Sequence, residues 1–142
     1  MRVLVADDHE LVRRGVKDLL REQFPDVEVG EAETGGAAFE LALKGSWDLM
    51  LLDIHMPGRN GLEVLADLRR VQPKLPVLVL SISDESEYAV RVIRAGAAGY
   101  LTKQTVGEEL AAAVRKIVSG GRYISTGVSE QLAVGVSRKG TA

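Results

Sequence analysis

The sequence predicts a doubly wound α/β fold, in which a five-stranded parallel sheet carries helices on both faces. Short apolar runs alternate five times with segments whose apolar residues recur at helical spacing, which is typical of repeated strand–helix units. Two of these runs, Leu49–Leu52 and Val77–Leu80, are apolar without a break, as expected of strands that are covered on both faces. Parallel strands joined by helices need right-handed crossovers, which place helices on the two faces of one sheet.

The strands are predicted from the apolar runs Val3–Ala6, Val27–Ala32, Leu49–Leu52, Val77–Leu80 and Gly99–Leu101. The helices are predicted from apolar residues three or four positions apart. These residues are Leu11, Gly15, Leu19 and Leu20; Phe39, Ala42 and Leu43; Leu62, Leu65 and Leu68; Tyr88, Val92 and Ala95; and Leu110, Val114, Ile117 and Val118.

The helix ends carry their own signals. Asn60 with Glu63, and Thr105 with Glu108, have the spacing of capping boxes, in which two side chains bond reciprocally to backbone amides. Glycines commonly end helices in the left-handed conformation. Three glycines stand where such ends are expected: Gly45, Gly96 and Gly120.

The composition is that of an ordinary globular domain. The 142 residues are 46% hydrophobic and 27% charged, with a formal net charge of -2 and no cysteine. A basic excess, a disulfide framework and a thiolate metal site are therefore all lacking. The longest apolar run is too short to cross a bilayer, and Asp7 comes too early for a signal peptide. We expect a soluble, cytoplasmic protein with no membrane partner.

The chain is predicted to divide into a domain over residues 1–121 and a tail over residues 122–142. In the tail, Val128, Leu132 and Val136 have the spacing of a short amphipathic helix, and the last six residues have linker composition. Such a tail is either a frayed terminus or a linker towards a further domain that these residues do not contain.

Polar side chains follow four of the five predicted strands. Asp7 and Asp8 come after the first strand, Asp53 ends the third, Ser81 ends the fourth, and Lys103 lies two residues past the fifth. In an open parallel sheet, ligands bind beyond the carboxyl ends of the strands, where the winding reverses. If the strand order is 2-1-3-4-5, the first and third strands are neighbours and the three acids converge at one edge.

Converging carboxylates repel one another unless a cation or protons intervene. An all-oxygen cluster suits Mg²⁺, which takes one or two carboxylates and keeps several waters. Lys103 and Ser81 offer a point charge and a hydroxyl to phosphate oxygens, and Asp53 is the candidate nucleophile for an acyl phosphate. Taken singly, each residue also has an ordinary interpretation, such as a helix cap for Asp8.

These residues resemble the receiver domain of bacterial two-component response regulators over residues 2 to about 120. The matching segments are Val3–His9, Leu51–Gly58, Ser81–Ser83 and Ala95–Lys103. The resemblance implies a flavodoxin-like fold with strand order 2-1-3-4-5, for which flavodoxin and a chemotaxis receiver are the standard examples. Met56–Gly58 and Ala95–Leu101 are similar to the subfamily whose output is a LuxR-type helix-turn-helix domain, so the chain is expected to be part of a longer regulator.

The resemblance implies a role for each site residue. Asp53 resembles the phosphoacceptor, which takes a phosphoryl group from the phosphohistidine of a sensor histidine kinase. Asp8 and Asp53 resemble direct Mg²⁺ ligands, with the backbone carbonyl of His55 as another ligand and Asp7 acting largely through water. Lys103 resembles the lysine that pairs with the phosphate.

Ser81 and Tyr100 resemble the switch pair of the family, a hydroxyl that moves towards the phosphate and an aromatic ring that turns inward behind it. Phosphorylation would then bias a two-state surface on the fourth helix, fifth strand and fifth helix. Homodimerisation is the implied consequence, and DNA would be contacted only through an output domain absent from this chain. The receiver itself is expected to be no enzyme, beyond assisting its own phosphorylation and dephosphorylation.

Three positions at the site are unusual. Ile82 stands where the family commonly has a small residue, so it is expected to narrow access to Asp53 and slow hydrolysis of the phosphoryl group. Gln104 replaces the proline of many receivers, which puts the cis peptide found there in doubt. His55 brings an imidazole whose role is either in phosphoryl lifetime or none at all.

Two other functions remain open from the sequence. A magnesium-dependent hydrolase that works through an aspartyl-phosphate also places its nucleophile after a strand, although the haloacid-dehalogenase pattern has a second aspartate where this chain has His55. A stand-alone or non-phosphorylated receiver scaffold would use the fold for protein contacts alone. The complete set of acids with Lys103 and Ser81 argues against that scaffold.

Overall fold

The computed structural model describes residues 1–56, 60–82 and 86–124. Strands and helices alternate through this part of the chain. They are β1 (Arg2–Ala6), α1 (Glu10–Gln23), β2 (Glu28–Ala32), α2 (Gly35–Lys44), β3 (Leu49–Asp53), α3 (Gly61–Val71), β4 (Val77–Ser81), α4 (Ser86–Arg94), β5 (Gly99–Thr102) and α5 (Val106–Val118). All four strand pairs are parallel, and the order is β2-β1-β3-β4-β5. The predicted doubly wound, flavodoxin-like class and its strand order are confirmed.

The core lies in two layers, one on each face of the sheet. Alternate residues of β3 divide between the layers: Met50 and Leu52 pack in the layer of α2, α3 and α4, whereas Leu49 and Leu51 pack in the layer of α1 and α5. The strand is fully buried because both of its faces are covered. This explains why β3 and β4 are unbroken apolar runs in the sequence.

On α1, the predicted apolar stripe is partly wrong. Leu11 is 81% exposed and Gly15 is exposed, whereas the helix buries Arg13, Val16 and Leu20. At 100° per residue, Leu11 lies about 140° around the helix from Val16, so the two side chains cannot face the same layer. An apolar residue in the first turn therefore misled the assignment of the buried face.

The caps are confirmed in part. The Asn60 side chain accepts a hydrogen bond of 2.8 Å from the amide of Leu62, and Gly96 and Gly120 have φ of 111° and 101°. Thr105 precedes α5 without a side-chain capping bond, because its hydroxyl bonds to that of Thr102 instead. Gly45 has φ of -102°, so the left-handed conformation predicted for it is wrong. Glycine is needed there for space, because a Cβ would lie 2.4 Å from the Trp47 ring nitrogen.

The chain after α5 returns to the sheet. The amide of Tyr123 donates to the carbonyl of Ala98 at 2.9 Å, and Tyr123 forms a parallel bridge with Gly99 at the edge of β5. Packing of the chain on the domain thus continues past the predicted boundary at residue 121. The helix predicted over 128–136 and the linker after it lie outside the described residues. Among the helices of the described part, none is long and apolar enough to cross a membrane.

Candidate functional site

The acids predicted to converge do lie together at the carboxyl edge of the sheet. Asp7 follows β1, Asp53 ends the neighbouring β3, and Asp8 is next to Asp7. One oxygen of each carboxylate, together with a ring nitrogen of His9, lies within 4.8 Å of the others. The side chains of Asp7 and Asp53 are 1% exposed, and that of Asp8 is 27% exposed. The site is therefore a buried acidic pair with a third carboxylate at its mouth.

Lys103 closes the site from the side of β5. Its amide donates to the carbonyl of Ser81 at 2.8 Å, which ties the turn after β5 to the end of β4. Its Nζ lies 3.1 Å from Asp7 Oδ2 and 3.1 Å from Asp53 Oδ2. The contact with Asp53 is a hydrogen bond, whereas that with Asp7 is an ion pair without hydrogen-bond alignment. Lys103 therefore bridges the two buried carboxylates.

The pKa of Lys103 reflects two opposing effects. Burial lowers it, but the contact with Asp7 and the charge of Asp53 raise it by more, so the pKa lies above the ordinary value of 10.5. The lysine is thus fully charged at neutral pH. One lysine does not neutralise three carboxylates, and the cluster retains an excess of negative charge.

The donor atoms of the cluster fit a hard divalent cation. Asp7 Oδ2 and Asp8 Oδ1 are buried and accept no hydrogen bond within the described residues. Oxygen ligands with excess negative charge are what Mg²⁺ prefers in proteins. Asp7, Asp8 and Asp53 are the side chains that would hold it, and the cation would neutralise carboxylate and phosphate charge there.

His9 was not among the predicted site residues. Its Nδ1 lies 3.1 Å from Asp8 Oδ1 and 3.3 Å from Asp7 Oδ1, and its amide donates to Asp7 Oδ1 at 2.8 Å. The position of His9 directly after two aspartates was the available signal in the sequence. Imidazole is a poor ligand for Mg²⁺, so the contacts assign His9 to hydrogen bonding with Asp7 and not to cation binding.

His55 connects the two switch candidates. Its amide donates to Asp53 Oδ1 at 3.0 Å, and its Nε2 lies 3.3 Å from Ser81 Oγ. Its ring stacks on Tyr88 with centroids 5.9 Å apart, and Tyr88 meets Tyr100 edge-on at 6.4 Å. Ser81 and Tyr100 are therefore joined through His55 and Tyr88. Sequence reasoning placed Tyr88 on a helix but did not assign it to the site.

The surroundings of the site bear on two further expectations. Ile82 is 69% exposed, and its predicted effect on phosphoryl lifetime stays a prediction. The described chain contains no cis peptide bond, so the bond between Lys103 and Gln104 is trans. An open groove of about 700 Å³ adjoins the acids, with Asp8, His55, Tyr88 and Arg91 among its lining residues.

The arrangement suits phosphoryl chemistry. A phosphoryl group can be accepted by a carboxylate such as that of Asp53. Its charge can be neutralised and its oxygens bound by a lysine and a hydroxyl, which here are Lys103 and Ser81. They lie where the winding of the sheet reverses between β1 and β3. The molecule is thus a doubly wound α/β protein with a cluster of acidic side chains at its topological switch point.

Comparison with known proteins identifies the family. The family described as response regulator receiver domain matches residues 3–115, which is most of the chain. The chain therefore belongs to the receiver domain family of response regulators.

The relatives of this chain include response regulators and a transcriptional regulatory protein. It is 40% identical over 134 residues to response regulator GacA of Pseudomonas aeruginosa and 41% identical over 133 residues to transcriptional regulatory protein DegU of Brevibacillus brevis. These alignments cover 94% and 93% of this chain but 63% and 56% of the relatives, so the chain spans less than two thirds of their length. A solved structure of a LuxR-family two-component response regulator from an Aurantimonas species has a TM-score of 0.84 at 30% identity, covering 96% of this chain and 97% of that one.

Proposed function

We propose that this domain is a phosphoacceptor of histidine-to-aspartate signalling, and that Asp53 takes the phosphoryl group from a sensor histidine kinase. The observation that carries the proposal is the buried Asp53 carboxylate, 1% exposed, with Lys103 Nζ at 3.1 Å. A carboxylate oxygen of Asp53 attacks phosphorus as the bond from phosphorus to the donor imidazole breaks, and that imidazole takes up a proton. Lys103 and Ser81 would then hold phosphate oxygens.

Mg²⁺ is the proposed cofactor, because the cluster presents oxygen ligands with an excess of negative charge. Asp8 and Asp53 are the proposed direct side-chain ligands, the backbone carbonyl of His55 is a third, and Asp7 acts largely through water. An indirect role for Asp7 agrees with the position of Lys103 Nζ, 3.1 Å from Asp7 Oδ2, because a charged ammonium there disfavours direct contact of the same oxygen with a second cation.

Ser81 and Tyr100 are the proposed switch residues. Their support is the continuous contact path through His55 and Tyr88 from the phosphoacceptor to β5. Phosphorylation would shift the surface formed by α4, β5 and α5, and the proposed consequence is homodimerisation. A two-state element biased by a local charge is the general form of such switches.

The output proposed for the longer protein is transcription control through a DNA-binding domain. The name of DegU, a transcriptional regulatory protein, and the similarity to a LuxR-family response regulator support it. The proposed location is the cytoplasm, where DNA and ATP-dependent kinases of bacteria meet. The receiver is proposed to process only its own phosphoryl group and to turn over no other substrate.

The proposal is tested by phosphate-affinity electrophoresis after incubation with acetyl phosphate, with and without Mg²⁺. The wild type is expected to give a shifted band that needs Mg²⁺, and Asp53→Asn should remove it. Asp48→Asn is the matched control, because Asp48 is an exposed aspartate just before the same strand and should leave the band intact.

The other outcomes identify other functions. A wild type without any shifted band would favour a scaffold that works by protein contacts alone. Continuous release of phosphate from a generic phosphoester at many turnovers would favour a hydrolase. A band that persists in Asp53→Asn would place the phosphate on another residue and overturn the assignment.

A further inference from the structure

Arg13 is a buried charge on α1 that the chemistry described above does not use. Its side chain is 7% exposed, although arginine is almost never fully buried without partners. The residue lies on the face of α1 that packs towards the sheet, together with Val16 and Leu20. A cation in that layer needs a specific set of acceptors.

All three kinds of guanidinium nitrogen have an acceptor. Nη1 donates to the backbone carbonyl of Asp7 at 2.6 Å, Nε donates to Glu31 Oε1 at 3.2 Å, and Nη2 donates to Glu33 Oε1 at 3.2 Å. The planar fork of arginine can hold three such acceptors at once, which the point charge of lysine cannot.

The register of the sheet presents Glu31 to Arg13. Glu31 is paired with Val5 of β1, and Val5 packs in the layer of α1 and α5, so Glu31 faces the same layer. Lys17 also donates to Glu31 at 3.0 Å. The hydrogen bond from Lys17, and a further one from Arg13, hold the pKa of Glu31 below its ordinary value despite partial burial.

The carbonyl of Asp7 lies between two regular elements. β1 ends at Ala6, and the first carbonyl that accepts a bond from α1 is that of His9, from the amide of Arg13. No backbone amide of the described residues donates to the carbonyl of Asp7, so Arg13 supplies its partner through a charge-assisted hydrogen bond.

The remaining polar groups of Asp7 are also held. Its amide donates to the carbonyl of Ala32 at 3.0 Å, Oδ1 accepts from the amide of His9 at 2.8 Å, and Oδ2 faces Lys103 at 3.1 Å. The carbonyl of Asp7 belongs to the peptide group that joins Asp7 to Asp8, so its bond to Arg13 helps to fix the orientation of that group. The orientation of this peptide group affects where Asp8 and the His9 amide lie.

We propose that Arg13 is a positioning residue for the cation site: by binding the Asp7 carbonyl, it holds the turn that aims Asp7 and Asp8 at the shared cation. This inference rests on the proposed use of the site as a Mg²⁺-dependent phosphoacceptor. Arg13 itself contacts neither the cation nor the phosphate in this scheme. When a residue that hydrogen-bonds to a metal ligand and orients it is substituted, metal affinity typically falls by a factor of about 10 to 100.

The direction in which Mg²⁺ affinity changes on substitution of Arg13 distinguishes a positioning role from an effect of its charge alone. Removing a cation close to a Mg²⁺ site should strengthen Mg²⁺ binding by Coulomb's law alone. Loss of positioning should weaken it. The sign of the change in affinity therefore decides between the two explanations, whatever the change in stability.

The test uses Arg13→Met, Arg13→Lys and, as a matched control, Arg14→Met. Arg14 is the next residue on α1, but it is exposed and pairs only at 3.5 Å with Glu10 among the contacts described. Mg²⁺ affinity is measured by isothermal titration calorimetry at neutral pH, well below the melting temperature of each variant. Hydrogen exchange of the His9 amide, measured without any metal, reports directly on the Asp7 turn.

Arg13→Met is expected to weaken Mg²⁺ binding about tenfold and to speed exchange of the His9 amide, while Arg14→Met changes neither. Arg13→Lys keeps the charge but loses the fork, and should also weaken binding relative to wild type. If Arg13→Met does not fold, Arg13→Lys alone carries the test. Mg²⁺ affinity in the Arg13 variants that equals or exceeds that of wild type would overturn the inference.

Failure of the proposed function is distinguishable from failure of this inference. A wild type that binds no Mg²⁺ and forms no phosphorylated band would remove the proposed function itself. A wild type that does both, with Arg13 variants of unchanged affinity and unchanged His9 exchange, would leave the function standing and remove only the positioning role.

Discussion

The two ends of the sheet are built on opposite principles. At the carboxyl edge, Asp7 and Asp53 are buried beside each other and share one lysine, so like charges are held together at a cost in stability. At the amino edge, the Trp47 indole donates to the carbonyl of Leu41 at 2.8 Å, and the Arg2 guanidinium lies 4.5 Å from its ring centroid. There the groups are complementary and the packing is close.

The contrast indicates which residues of this small domain serve the proposed chemistry and which serve stability alone. The buried carboxylates at the carboxyl edge lower the stability of the folded state, but the proposed chemistry requires them. The amino edge is arranged around one large ring, and residues near it are small where the ring approaches: a Cβ on Gly30 would lie 2.3 Å from Trp47. Substitutions at the carboxyl edge should therefore change phosphorylation as well as stability, whereas substitutions at the amino edge should change stability alone.

The largest effect is expected from Lys103→Met at the carboxyl edge. The substitution leaves two buried carboxylates facing each other without a cation, and breaking such a buried pair costs about 3 kcal/mol or more. Urea unfolding in the absence of Mg²⁺ measures the loss, and phosphorylation should fall as well. Lys74→Met, at an exposed lysine, is the control and should change neither. Equal stability of Lys103→Met and wild type would mean that the edge is not held by this ion pair.

The same ion pair predicts a pH dependence. Because the pKa of Lys103 is raised in the folded state, its contribution to stability is fully present below the ordinary value of 10.5 and is lost as pH rises through the folded pKa. The stability difference between wild type and Lys103→Met should thus persist through neutral and mildly alkaline pH. On the alkaline side, this difference should shrink only as pH rises through the raised pKa of Lys103.

A smaller effect, confined to stability, is expected from Trp47→Ala at the amino edge. The half-buried ring packs against Gly30, Gly45 and the adjoining core, so its removal should cost about 2 kcal/mol. Thermal unfolding measures the loss, and Trp47→Phe should recover part of it by refilling the space. Phosphorylation by acetyl phosphate should stay unchanged at a temperature where both variants are folded. A large loss of phosphorylation would mean that the two edges are coupled.

The smallest effect is expected from Gly15→Ala on α1, which should raise stability by about 0.5 to 1 kcal/mol. A Cβ at this exposed helical position has nothing within 4 Å, so only the conformational freedom of the unfolded chain is reduced. Gly30→Ala is the matched opposite and should destabilise, because its Cβ would overlap the Trp47 ring. Chemical denaturation of both variants measures the pair, and stabilisation by Gly30→Ala would contradict the packing described for that edge.

The prediction of the fold succeeded where the local pattern of apolar residues directly reflects burial in the folded domain. The unbroken apolar runs of β3 and β4 predicted strands covered on both faces, and both strands are fully buried. It failed where the same residue type serves several purposes. Leu11 is apolar but exposed, and Gly45 avoids a ring instead of adopting a left-handed turn.

The prediction of the site likewise succeeded for residues at the strand ends and missed residues on helices and turns. Asp7, Asp8, Asp53 and Lys103 were predicted to meet, and the acids cluster with Lys103 Nζ against two of them. Arg13, His9 and Tyr88 were missed as parts of the site or its support. Each of them sits on a helix or turn, where spacing along the chain does not tell which side chain reaches a distant acid.

By itself, the sequence determined the order of strands and helices and which polar residues follow the strands. These features suffice to bring Asp7 and Asp53 to one edge, because parallel strands with right-handed crossovers all end on the same side of their sheet. Only the tertiary structure decided that the Arg13 guanidinium on α1 donates to the carbonyl of Asp7. It also decided that His55 contacts both Ser81 and Tyr88. Such contacts depend on the distance and direction of side chains far apart in the chain, which periodicity along the sequence does not contain.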